Sequence, residues 1–112
     1  MTRDLPRGDV PTLILAVLAR APAHGYAIAR AIEQESASVL QLREGSLYPA
    51  LRLLEQQGLI VSNWETQERG PARRVYALTD EGRAALATRA DEWHAYAAAV
   101  AAVLGGRRVS YG

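Results

Sequence analysis

Cysteine is absent from the 112 residues, which removes disulfides, thiolate zinc sites and thiol redox chemistry together and suits a cytoplasmic protein. Lysine is absent too. All 13 basic residues are arginine, a usage that accompanies the alanine-rich composition and carries no functional weight by itself. No run of about eighteen apolar residues occurs, and the opening MTRDLPRGDVP has no apolar core behind its arginines, so neither a membrane span nor a secretory leader is expected. Charge of one sign is lacking as well: the net value is only +1, so any polyanion must be met by a local patch rather than by the whole-molecule field. The two histidines, His24 and His94, lie far apart in the chain and make no zinc pattern, and no serine, histidine and acid fall into a triad motif. Enzymatic chemistry, a metal and a cofactor are therefore not expected. What is present is a hydrophobic content of 49%, enough for one core in a single domain.

The most informative stretch is EGSLYPALRLLEQQGLI, from Glu44 to Ile60. Leu47, Ala50, Leu51 and Leu54 fall at i, i+3, i+4 and i+7, so a helix through them buries that face. Gly45, Pro49, Arg52 and Gln56 then point the opposite way, with Tyr48 and Glu55 on one flank and Ser46 and Leu53 on the other. Gly58 ends the helix in the left-handed conformation that glycine adopts without strain. A start near Glu44 places Pro49 a full turn inside, and a start with Ser46 as cap places it in the first turn; the earlier start is preferred.

In chain order, residues 1–8 read as a loose arm carrying Arg3 and Arg7. Asp9 before Val10 and Pro11 predicts an N-cap, with Leu13, Ile14, Val17 and Leu18 turned inward from a first helix that stops near Pro22. A second helix runs from Gly25 to about Ser36, buries Ile28 and Ile32, and has His24 at its mouth as a cap or solvated side chain. Val39 to Leu42 predicts a short strand lying against the later ones. Beyond Leu59, LIVSNWE and RRVYALT alternate about a Gly-Pro break and predict an antiparallel hairpin with a long tip, with Trp64 in the core on the sheet face. Three helices followed by a hairpin make a winged helix-turn-helix, a mainly α fold with a small β hairpin, whose third helix enters the major groove of DNA. Thr79 caps a last helix, with Asp80 and Glu81 favouring its positive end. Leu86, Ala90, Trp93, Ala97, Val100 and Leu104 form an a/d stripe along it over about three heptads. No other helix is long enough to cover that stripe, so a second copy of the same helix is the expected partner. The glycines Gly105 and Gly106 end the helix before a short tail. The expected division is a DNA-binding domain over 1–79 and a dimerisation helix with its tail over 80–112.

Four motifs together, HGYAIA, EGSLYPALRLLEQQGLI, GPARRVYALT and LTDEG, give the chain a resemblance to the PadR family of bacterial transcriptional regulators over nearly its whole length. The resemblance implies a homodimeric repressor, of the smaller branch with a single C-terminal helix, bound to an inverted repeat of double-stranded DNA. One departure is Arg43, which stands where a capping serine is expected. The candidate DNA contacts are Tyr26, Ser46, Tyr48, Pro49, Arg52, Gln56, Arg69, Arg73 and Arg74. Arg52 and Gln56 are the long polar side chains suited to base edges, with Leu53 near a thymine methyl; Tyr48 resembles the family's backbone-contacting tyrosine. Around the wing tip Arg69, Arg73 and Arg74 suit phosphates, although Glu65 and Glu68 reduce the local excess to one positive charge. Tyr26 suits a phosphate at the positive end of the second helix and equally a half-buried place in the core. Trp93 either fills the dimer seam or, with Tyr96, stacks on a planar aromatic effector as in some drug-binding members; the small Ala90 and Ala97 favour filling. The competing function is a winged helix turned protein-interaction module, which has no counterions to release and so no salt-dependent DNA binding.

Overall fold

The structure, a computed structural model, describes residues 3–4 and 9–105. The side chains of the arginine-bearing arm and the tail beyond Gly105 lie outside the described residues. The chain runs β1 (Arg3–Asp4), α1 (Val10–Leu18), β2 (Ala23–His24), α2 (Gly25–Glu35), β3 (Leu40–Gln41), α3 (Glu44–Gln56), β4 (Ile60–Glu65), β5 (Arg73–Leu78) and α4 (Asp80–Val103). This is the mainly α winged-helix architecture with a long final helix. Among the described residues no helix is long and apolar enough to cross a membrane.

The core forms where the apolar arcs of α1, α2 and α3 meet the sheet. Ile14, Leu15, Ile28, Leu47, Leu51, Leu54 and Ile60 are its fully buried side chains. Leu15 belongs to this set, whereas Leu13 and Val17, expected to point inward, are half-buried at its edge; the buried arc of α1 is rotated toward Leu15. Asp9 is not the expected side-chain cap. Its backbone is already helical, at φ −87° and ψ −26°, and only its carbonyl is used, accepting from Leu13 N–H at 3.1 Å.

The sheet has three strands in the order β2-β5-β4, all antiparallel, with Ile60 opposite Leu78 and Glu65 opposite Arg73. The third strand is Ala23–His24, which pairs with Tyr76 and Val75, and not the segment expected from Val39 to Leu42. The core of that segment, β3, pairs in parallel with β1 instead. Two residues before a helix carry too little pattern to be seen as a strand. Their pairing is set by where α1 delivers them.

Helix α3 begins at Glu44 with Pro49 inside it, and Arg43 contributes no side-chain cap. Its end is a Schellman closure: Leu59 N–H donates to Leu54 O at 3.0 Å and Gly58 N–H to Glu55 O at 3.1 Å, with Gly58 at φ +76°. Helix α2 closes in the same way through Ala37 at φ 52° and Ser38 at φ 65°. There the left-handed residue is alanine rather than glycine, a strained choice at a turn that the Ser36 hydroxyl reinforces by accepting from Leu40 N–H at 3.0 Å.

Candidate nucleic-acid interface

Helix α3 has two sharply different faces. Leu47, Leu51 and Leu54 are buried, while Ser46, Tyr48, Pro49, Arg52, Leu53 and Gln56 are all exposed. Arg52 and Gln56 sit one turn apart on the outer face, and neither side chain makes a hydrogen bond or ion pair among the described residues. Their donors and acceptors are open to a base edge.

Tyr48 leans across to the start of α2. A Cβ at Gly25 would stand 3.1 Å from the Tyr48 ring and hydroxyl, so the glycine is what lets the ring lie there. The hydroxyl therefore sits beside the positive end of α2, next to Tyr26, which is 67% exposed. That exposure removes the core alternative for Tyr26. His24 caps the same helix end, its Nδ1 accepting from Ala27 N–H at 3.2 Å.

The wing arginines differ from one another. Arg73 Nη1 lies 2.7 Å from His24 Nε2. A neutral imidazole has one lone pair in its ring plane, and both Ala27 N–H and the guanidinium are donors, so His24 serves one of them at a time. This contact engages one nitrogen of the exposed Arg73 guanidinium, which has further N–H donors left for a phosphate. Arg69 is exposed at the tip beside Gly70, which turns the chain at φ +86°. Arg74 is not free: it pairs with Glu55 at 3.4 Å and donates to Ser62 Oγ at 2.9 Å.

Trp64 is 68% exposed and is not the core residue expected. It does lie on the inner face, in phase with Ile60 and Ser62, but exposure grows along β4 as the strand runs out past the helices. Tyr76, on β5 opposite Ser62, is buried, and desolvation raises its hydroxyl pKa, with Arg74 opposing. Sequence reasoning missed the link among Glu55, Ser62 and Arg74. Period-two alternation puts Ser62 and Arg74 on the inner face, but no spacing in the sequence announces that Glu55 reaches them.

Along α4 the a/d stripe divides. Leu86 packs against the core of its own domain, and Ala90 and Ala97 are half-buried. Trp93, Val100 and Leu104 remain 53%, 40% and 49% exposed among the described residues. Trp93 and Tyr96 have ring centres 6.0 Å apart. Trp93 also walls a groove of about 650 Å³ whose other sides include Leu13, Leu40, Arg89 and Glu92.

The profile of the Transcriptional regulator PadR-like family matches residues 14–88, from the first helix through the root of the last. The chain belongs to this family. The transcriptional regulator Rv3488 of Mycobacterium tuberculosis is 37% identical over 84 residues, covering 75% of each chain. A PadR family regulator from Eggerthella lenta has a solved structure with a TM-score of 0.76 at 34% identity, over 88% of this chain and 83% of that one. The smu.1704 protein of Streptococcus mutans superposes over 98% of this chain and 99% of its own with a TM-score of 0.81, at 27% identity. As a PadR-like protein the chain is a DNA-binding transcriptional regulator and not an enzyme.

Proposed function

We propose that this regulator acts in the bacterial cytoplasm as a homodimeric repressor that reads an inverted repeat. The observation that carries the reading is the pairing of two uncovered faces on one chain, the polar face of α3 and the apolar stripe of α4. In this arrangement residues 1–79 bind DNA, with α3 in the major groove, Arg52 and Gln56 on bases, and Ser46 and Pro49 at the groove floor. Tyr26, Tyr48, Arg69 and Arg73 hold the backbone. Residues 80–112 supply the dimer contact, so the two recognition helices stand about 34 Å apart, one turn of DNA. A planar aromatic effector fits the exposed faces of Trp93 and Tyr96. The groove beside Trp93 is shared with α1, so a ligand there touches both the dimer helix and the DNA-binding domain. It shifts DNA affinity only to the extent that it binds one arrangement of the two better.

The dimer is tested by Val100→Asp, which places a charge in the exposed part of the stripe, between Trp93 and Leu104. Sedimentation is expected to show a dimer for the wild type at micromolar concentration and a monomer for the variant, with loss of tight binding to DNA from upstream of its own gene. A variant that stays dimeric contradicts an interface built on α4. Adding planar aromatic compounds to the wild-type complex in the same assay tests for release.

A further inference from the structure

The inner face of the hairpin carries a polar cluster that base reading does not use. Ser62 Oγ donates to Glu55 Oε2 at 2.6 Å and accepts from Arg74 Nε at 2.9 Å. These directions are forced, because the hydroxyl has one proton, the carboxylate only accepts and the guanidinium only donates. Arg74 Nη2 closes the ring on Glu55 Oε1 at 3.4 Å. The guanidinium carbon also stands 5.7 Å from the Trp64 ring centre and 6.0 Å from that of Tyr76. Side chains from α3, β4 and β5 thus meet at one point, which ties the recognition helix to both strands of the wing.

Stability does not account for this arrangement. The pair is partly exposed, 45% for the Arg74 side chain and 31% for Glu55, and exposed pairs contribute little to folding. Trp64 stays 68% exposed, so its indole is not there for burial. Charge does not account for it either. A carboxylate on the flank of the recognition helix, in the same groove as Arg52, repels the polyanion that the helix must approach.

We propose that Glu55 is a positioning residue for DNA binding. Acting through Ser62 and Arg74, it fixes the separation of wing and recognition helix. The groove of about 400 Å³ between them, walled by Tyr48, Arg52 and Trp64, then receives one sugar-phosphate strand at constant width. Arg74 is the strut of this joint rather than a free phosphate ligand. The neighbouring Arg73 alternates to the other face of β5, outside this groove, and meets backbone phosphate beside His24 at the start of α2 instead.

This inference rests on the DNA-binding reading, and a double-mutant cycle separates the two. The full-length wild type, Glu55→Gln, Arg74→Gln and the double variant are titrated with upstream DNA at several salt concentrations. A wild type that binds without salt dependence, or not at all, overturns the DNA reading and the positioning role with it. Given salt-dependent binding, Glu55→Gln is expected to bind about threefold or more weakly although it removes a negative charge, and that loss is expected to vanish in the Arg74→Gln background. Tighter binding by Glu55→Gln, or an equal loss in both backgrounds, overturns the positioning role while leaving DNA binding intact. Ser62→Ala cuts the link with no change of charge. It is expected to weaken binding to a similar degree at an unchanged melting temperature, and wild-type affinity in that variant counts against the joint.

Discussion

Gly82→Ala is expected to cost about 3 kcal/mol or more of folding stability, a drop of more than about 10 °C in melting temperature, although it adds a single methyl group. The reason is space. A Cβ at position 82 would stand 2.0 Å from the Leu59 carbonyl oxygen and 2.7 Å from Leu78 Cδ1. Neither side of the clash can retreat easily, because the junction is bonded from several directions. Thr79 N–H donates to Leu59 O at 3.1 Å, Thr79 Oγ1 donates to Gly58 O at 2.7 Å, and Gly82 N–H donates back to Thr79 Oγ1 at 3.0 Å. Gly45 supplies the control, since nothing lies within 4 Å of a Cβ built there. Thermal unfolding of the two alanine variants checks the contrast, and similar melting temperatures would mean that α4 does not seat against the end of α3. The same joint has a mechanical meaning: it binds the root of the long helix to the Gly58 turn that closes the recognition helix, so reorienting α4 must carry α3 with it.

Leu51→Ala is expected to lose about 2 to 5 kcal/mol, through lost burial and the cavity left behind. Leu51 is 1% exposed and faces the centre of the cluster formed by α1, α2 and the sheet. Its neighbour Arg52 projects into solvent, so Arg52→Ala should change stability by no more than about 0.5 kcal/mol. Denaturant unfolding of the pair decides between the two faces of α3. Equal losses would overturn the facing of the helix and with it the choice of DNA-reading residues.

The facing of α3 was readable in the sequence because leucines at helical spacing leave one solution, and glycine at 58 marks where it ends. The hairpin and the capping of α4 by Thr79 were readable for similar local reasons. Trp64 was not. Alternation assigns a strand residue to a face of the sheet but says nothing about how far the covering layer extends, and here the helices stop short of it. The strand pairing of Ala23–His24 was hidden because two residues have no period. Asp9 failed as a cap because the chain enters α1 already helical. The link from Glu55 to Arg74 depends on a tertiary approach between helix and wing, which no local pattern encodes. The DNA contacts themselves were nominated from exposed polar chemistry and from family resemblance. The structure adds that Arg52 and Gln56 are open, whereas Arg74 is already engaged.

Selection of bound sequences from randomised duplex DNA, run for the wild type, Arg52→Ala, Gln56→Ala and Arg73→Ala, tests the reading of DNA by α3 most directly. The wild type is expected to return an inverted repeat. Arg52→Ala and Gln56→Ala should each relax preference at matching positions in both half-sites, by about 1 to 3 kcal/mol per lost base contact, while Arg73→Ala should weaken all sequences alike and lower the salt slope by about one. Unchanged sequence preference in both the Arg52 and the Gln56 variants, with only a uniform loss of affinity, would contradict base reading by the exposed face of α3.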